Sequence, residues 1–312
     1  MTLPLRTSAC WLPFGLLFSF GAGSAGAQSD PALQPERLAP GIISTTAVEH
    51  DVAFLPDQRT VLFSRRTGRW GEPGQRSTVY TIDRMANDSW GDPAIASFSG
   101  RWDDGDVFVS PDGQRVVFVS ERPAPDGTSR GRDIWSVART PTGWSEPAHL
   151  PAPISSPGLD MGPALAANGT LYFSSDRSGG YGAGDLYRAR LRDGAYRSVE
   201  NLGPVVNGPS GEWNLTIAPD ESYIIFESSG RKGALGPGGD LYLSYAEAGG
   251  WGAPIHLDAI STPGSDLMPR ISPDGLRLYY ATSWTLAGED ADIVWVPLEP
   301  LLARYSGAKS KR

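Results

Sequence analysis

One turn, repeated five times at near-constant spacing, constrains this chain more than anything else in it. In its fullest form it reads Ile271-Ser272-Pro273-Asp274-Gly275-Leu276-Arg277-Leu278-Tyr279-Tyr280. Pro presets φ, Asp bonds its own backbone and Gly accepts positive φ, so Pro-Asp-Gly forms a tight turn between two strands. The unit recurs at Leu55-Pro56-Asp57, Ser110-Pro111-Asp112-Gly113, Ala167-Asn168-Gly169 and Ala218-Pro219-Asp220, each followed by an aromatic strand such as Val116-Val117-Phe118. Counted on Asp57, Asp112, Asn168, Asp220 and Asp274, the steps are 55, 56, 52 and 54 residues. A period of that size, with about four strands per unit, predicts an all-β protein: a single β-propeller of four-stranded blades.

Each unit continues in the same order. A loop follows the aromatic strand. A third strand opens on Asp (Asp133, Asp185, Asp240, Asp292), with Thr78-Val79-Tyr80 in its place in the first unit, and a fourth opens on Trp-x-x-Pro, as at Trp90–Pro93, Trp144–Pro147 and Trp251–Pro254, with Tyr196 and Val199 in those places in the third. Proline there suits an edge strand, which needs no donor on its outer side. The last unit lacks this strand, but Pro35-Glu36-Arg37-Leu38 aligns with Pro147-Ala148-His149-Leu150. The N-terminal strand is therefore expected to complete the last blade and close the ring, removing two exposed sheet edges. The count is five blades; a sixth, degenerate one has few residues left to build it.

The expected organisation is 1–27 signal peptide, 28–34 linker, 35–298 propeller and 299–312 polar tail. Arg6, an apolar run through Leu12, Phe14, Leu16, Leu17, Phe18 and Phe20, and Ala25-Gly26-Ala27 occur in signal-peptide order. That run is short and interrupted by Pro13 and Gly15, so a membrane span is the weaker reading. The expected location is periplasmic or secreted. Cys10 is the only cysteine and leaves with that segment, so the remaining chain has neither a disulfide nor a cysteine metal site. The net charge of −8 argues against sequence-independent nucleic-acid binding.

The repeats resemble the Ser-Pro-Asp-Gly type of WD-repeat-like propeller found in TolB-like exported proteins. The resemblance covers about Pro35 to Leu298 and implies a periplasmic protein-binding propeller. The chain departs from that pattern by showing five repeats rather than six and no α/β domain before them.

Two sets of residues are candidates for function. Eight residues before each turn Asp or Asn stands an acid: Glu49, Asp104, Asp160, Glu212 and Asp266. At the start of each innermost strand these would ring one mouth of the central channel. Such a ring either recruits an oxygen-liganded cation such as Ca²⁺, or each acid bonds backbone amides or an arginine. The second set lies on the long connections between second and third strands: Arg65, Arg66, Trp70, Arg122, Arg132, Arg177, Tyr181, Arg231 and Trp284. Long loops on a rigid scaffold are where binding concentrates, although these arginines could equally pair with the ring acids.

Catalytic signals are weak. There is no Gly-x-Ser-x-Gly, P-loop, dinucleotide fingerprint or His-Glu-x-x-His. Of the three histidines, His149 and His256 are repeat-equivalent, while His50 sits between Glu49 and Asp51. The expected function is non-enzymatic binding of a protein, peptide or glycan through the long-loop face. The alternative is a glycosidase-like propeller hydrolase using carboxylates near the channel, which would need inequivalent acids.

Overall fold

The computed structural model describes residues 30–68, 73–125, 127, 131–235, 238–283 and 291–307. The chain forms five antiparallel sheets in a ring, one per repeat. Blade 1 is Val48–Phe54, Thr60–Thr67, Arg76–Asp83 and Ala94–Ile95, from the axis outward. Blade 2 is Asp104–Val109, Arg115–Ser120, Asp133–Thr140 and Ala148–His149. Blade 3 is Asp160–Leu165, Leu171–Ser175, Asp185–Ala189 and Glu200–Asn201. Blade 4 is Gly211–Ile217, Tyr223–Ser229, Gly239–Glu247 and Ile255–His256. Blade 5 is Ser265–Ile271, Arg277–Ser283, Asp292–Pro297 and, from the other end of the chain, Glu36–Arg37.

The closing strand pairs Glu36 with Trp295 and Arg37 with Val294. Leu38 N–H adds a bond to the Ile293 carbonyl at 2.9 Å. The core is divided accordingly into five apolar clusters, one at each blade–blade junction. Val52, Val61 and Phe63 of blade 1 meet Tyr279 and Ile293 of blade 5 in one of them. Leu62 and Val79 meet Val107 and Phe118 in the next. No blade buries its faces alone, so the ring is stable only as a whole.

Three details depart from the sequence reading. The fourth strands are two-residue pairings placed after the proline, whereas Trp144, Tyr196 and Trp251 sit in small hairpins that extend the third strand or follow it. Arg65 and Arg66, expected on a loop, lie inside the strand Thr60–Thr67. The stretch expected as a polar tail begins with a helix, Leu298–Ser306. Leu298, Leu301 and Tyr305 share its buried face at helical spacing and pack against Leu33, Leu257 and Ile260. Tyr305 Oη donates to Asp258 at 2.6 Å and accepts from Ala259 N–H at 3.0 Å.

The innermost strands of blades 2 to 5 are bulged at one repeat-equivalent position. Asp106, Gly162, Asn214 and Met268, each two residues after the ring acid, have φ of 52°, 55°, 30° and 53°. The register with the second strand shifts across this point in every one. A bulge turns the strand more sharply and re-aims the side chains around it. These bulges determine what faces the axis.

Candidate functional site

All five ring acids are fully buried. Four of them are engaged by an arginine of the same blade: Glu49 with Arg65 at 2.6 Å, and Asp104 with Arg122, Asp160 with Arg177 and Glu212 with Arg231, each at 2.7 Å. Each guanidinium lies against two aromatic rings of its own blade. Arg122 is 5.0 Å from the Phe118 ring centre and 5.2 Å from that of Trp135; Arg177 is 5.0 Å from both Phe173 and Tyr187. It also donates to a carbonyl of the segment linking the previous blade to its own: Arg65 to Ile42, Arg122 to Phe98, Arg177 to Ile154 and Arg231 to Val206.

The acids reach the same linkers. Thr45 N–H donates to Glu49 at 3.0 Å, Gly208 N–H to Glu212 at 2.8 Å and Thr262 N–H to Asp266 at 2.6 Å. In blade 5, Thr282 Oγ1 donates to Asp266 at 2.8 Å. Burial raises the Asp266 carboxyl to about 6, and raises Glu212 as well, against the opposing pull of its bonds and of Arg231.

In blades 1 to 4 acid, arginine and aromatic pair thus form a clamp that holds the blade to the linker before it, and in blade 5 Asp266 reaches the linker without an arginine among the described residues. Arg65, Arg122, Arg177 and Arg231, candidates for a ligand-binding loop in the sequence, are engaged in these clamps. No group of three or more metal-ligating side chains is found among the described residues. Tyr181 is 52% exposed and stands apart from the pocket described below. Trp70 and Trp284 lie outside the described residues.

The channel is stoppered. Arg270 of blade 5 is 2% exposed and spans the axis. It donates to the carbonyls of Val107 in blade 2 at 3.2 Å and Leu215 in blade 4 at 3.1 Å, and its Nη2 lies 3.3 Å from Asp51 of blade 1. Asp51 also accepts from Val107 N–H, and Asp106 from Gly162 N–H at 3.1 Å, so each links its blade to the next. Below the stopper, at the turn end, is a cavity of about 70 Å³ beside Pro56, Pro111, Pro219 and Pro273.

Above it, on the face of the long connections, is a pocket of about 550 Å³, within the size range of a ligand site. No ring acid lines it. Instead it is lined by the residues one position later: His50, Met161, Trp213 and Leu267. Successive side chains of a strand point to opposite faces, so a clamp acid directed into the blade junction directs its successor to the pocket.

The pocket has two ends. His50, Arg66, Glu121 and Arg132 line the side formed by blades 1 and 2. Arg132 is held by Asp103 at 3.0 Å and by the half-exposed Glu121 at 3.4 Å. Burial, then the charges of Arg66 and Arg132, hold His50 down to about 3, so its ring is neutral. Met161, Trp213, Leu267 and Met268 line the side formed by blades 3 to 5, with Asn214 and Glu227 among them.

Glu227 stands out in this half. It is 9% exposed and accepts from Asn214 Nδ2 at 2.8 Å. Burial raises its carboxyl to about 7, Asp106 adds to the rise, and the bonds from Asn214 and the Met268 backbone oppose it. Two close approaches seat this half. A Cβ at Gly239 would lie 2.8 Å from Glu227 Cγ, and a Cβ at Gly184 would lie 2.4 Å from the Trp213 ring. Only glycine lets the carboxyl stem and the indole lie that close to the backbone.

Of these residues, the sequence reading singled out His50, Arg66 and Arg132. It missed Glu227 and Trp213. The available signal was a break in the repeat. Seven residues after the turn Asp or Asn the chain has Ser64, Val119, Ser175 and Ala281, but Glu227 in the fourth unit.

No family model matches the chain, and no curated protein matches it. Solved structures do. TolB from Acinetobacter baumannii is 16% identical, with a TM-score of 0.48 over 80% of this chain and 54% of that one. The chain thus spans about half the length of that protein. A thermostable family-43 glycoside hydrolase is 12% identical, with a TM-score of 0.52 over 81% of this chain and 89% of that one. A gluconolactonase from Xanthomonas campestris is 14% identical, with a TM-score of 0.45 over 82% and 87%. At these identities the likeness speaks for the fold alone, and proteins of such different function share it. The chain is an all-β protein, a five-bladed propeller arrangement of four-stranded blades.

Proposed function

We propose that this chain is an exported, non-enzymatic binding propeller that takes a protein, peptide or glycan partner on its long-loop face and admits one residue of it into the pocket of about 550 Å³. The observation that carries this reading is that the pocket is lined by side chains that break the repeat. The repeat-conserved acids are clamps that hold the ring. Glu227 and Arg132 have no counterpart of like chemistry in the other repeats, and His50 and Trp213 differ in chemistry at one shared repeat position, yet all four meet around one cavity. The stopper at Arg270 makes the cavity a blind pocket suited to one end or one side chain of a larger molecule. The hydrolase alternative needs two inequivalent carboxylates near the channel. Four of the ring carboxylates are paired with arginines, which leaves them ill suited to carry or accept a proton, and of the two acids that line the pocket among the described residues Glu121 partners Arg132, so that Glu227 has no second carboxylate to work with there.

The order of charge, apolar run and small residues at the N-terminus supports export. Intact mass of the envelope-released protein beginning at Gln28 is the expected result, and recovery from the cytoplasm with Met1 retained would remove the location from the proposal.

Binding is tested by probing peptide and glycan arrays with the mature chain and with Ser265→Trp, which fills the pocket from its wall. Ligands captured by the parent chain and lost by the filled variant, with folding unchanged by circular dichroism, are the expected outcome. Identical capture by both chains would place binding elsewhere and refute the pocket.

A further inference from the structure

We infer that the pocket is selective for a cation on an aliphatic stem, such as a lysine side chain presented by a peptide, received by Glu227 between Asn214 and the Trp213 ring. This rests on the reading of the pocket as a binding site and adds the chemistry of what enters it.

The argument starts from what surrounds Glu227. Its side chain is nearly fully buried, and one carboxyl oxygen takes Asn214 Nδ2 at 2.8 Å. Asn214 is 5% exposed, and its Oδ1 is an acceptor with no hydrogen-bond partner. Asn214 Oδ1 is a buried acceptor without a donor, beside a buried carboxyl that has only the Asn214 amide and the Met268 backbone as donors. An unpaired buried acceptor is costly, and a ligand supplying several N–H groups would satisfy it and add donors to Glu227. Around them stand Met161, Leu267 and Met268, with the half-buried Trp213 ring. Methylene groups pack against such walls, and an ammonium or guanidinium gains further from an aromatic face.

The charges facing Glu227 select the sign. From blade 2, Asp106 acts on it with negative charge. Across the pocket stand His50, Arg66, Arg132 and Glu121, with Asp103 behind Arg132. Below the floor lies the Asp51–Arg270 pair. His50 is neutral, and Asp103 and Glu121 partner Arg132. The arginines are therefore confined to the blade 1 and 2 side, and the negative end is that of Glu227. A bound cation makes the ionised form of Glu227 the favoured one, so below about pH 7 its arrival expels a proton from the carboxyl to solvent. The chain's net charge of −8 steers basic partners toward it.

The test uses the mature chain and three small probes: N-acetyl-lysine methylamide, N-acetyl-norleucine methylamide and N-acetyl-glutamate methylamide. Titration calorimetry at pH 6 in buffers of different ionisation enthalpy reads both affinity and protons released. The lysine probe is expected to bind at least tenfold more tightly than the norleucine probe. Proton release should approach one per site at pH 6 and vanish by pH 8. Glu227→Gln should lose at least tenfold in affinity and all of the proton release. Trp213→Leu should weaken binding but keep the proton release, which preserves the test if the first variant fails to fold. Tighter binding of the glutamate probe would overturn the inference, as would lysine binding that is unchanged in Glu227→Gln or occurs without proton release. If all three probes fail while arrays show pocket-dependent capture, the cation inference falls and the binding reading stands. Failure of both experiments removes both.

Discussion

The buried carboxyl of Glu227 makes the stability of this protein depend on pH in a way that one substitution should abolish. In the unfolded chain the group titrates at 4.5; in the pocket it titrates at about 7. The native state therefore holds its proton more tightly than the unfolded state. Between these two values the unfolded carboxyl is ionised while the native one is still protonated, so stability falls as pH rises, by about 1.4 kcal/mol per pH unit. Across the whole window the loss is about 3 kcal/mol, fully absent below 4.5 and fully developed above 7. In Glu227→Gln the amide oxygen can still accept from Asn214 Nδ2, but nothing titrates. The variant should match the parent near pH 4.5 and be more stable than it at pH 8 by up to that amount, or roughly 5 °C in Tm for a chain of this size. Asp51, which burial also raises to about 7, is present in both chains and cancels in the difference. Parallel melting curves of parent and variant from pH 5 to pH 8, followed by circular dichroism, would refute the reasoning. They would mean that Glu227 is already ionised at pH 5 and that the pocket is wetter or better compensated than its burial indicates.

Three other perturbations follow from the fold. Asp104→Asn leaves the Arg122 charge buried without its carboxylate, and should cost about 3–5 kcal/mol. The loss should be the same in calcium and in chelator, and a calcium-dependent Tm of the parent chain that this variant abolishes would restore the cation-ring reading. A chain starting at Thr46 loses the burial of Leu33, Leu38 and Ile43, roughly 5–9 kcal/mol, and exposes the edge of blade 5. Since that approaches the stability of a whole domain, light scattering should show aggregation, and a parent-like cooperative melt would show the closing strand to be dispensable. Gly184→Ala puts a methyl group 2.4 Å from the Trp213 ring and should cost about 1–3 kcal/mol. With 5-fluorotryptophan labelling, one ¹⁹F resonance should move, and an unchanged spectrum would mean that the indole is not seated on that glycine.

Much of this protein follows from its sequence alone, because its information is periodic. The turn depends only on local backbone preference, and its five occurrences, two of them complete as Pro-Asp-Gly, give the blade number and the strand order. The pairing of Glu36 and Arg37 with the last blade was also legible, since a strand missing at one end and present at the other has one place to go. Even the acid eight residues before each turn was legible as a position. Its role was not. Whether it faces the axis or the blade junction depends on the bulge beside it, which shifts the strand's alternation, and backbone strain at Asn214 or Met268 leaves no mark in a single sequence. That the arginines of the long connections pair with the ring acids was one of two readings open in the sequence, and only tertiary distance decides between them, because an ion pair is recognised by distance. The helix Leu298–Ser306 was hidden because its value lies in three side chains that meet Leu33 and Leu257, far away in the chain. The pocket belonged wholly to tertiary structure. Glu227, Trp213, Met161 and Arg132 come from three blades, and ring closure brings them around one cavity while Arg270 seals the channel beneath it.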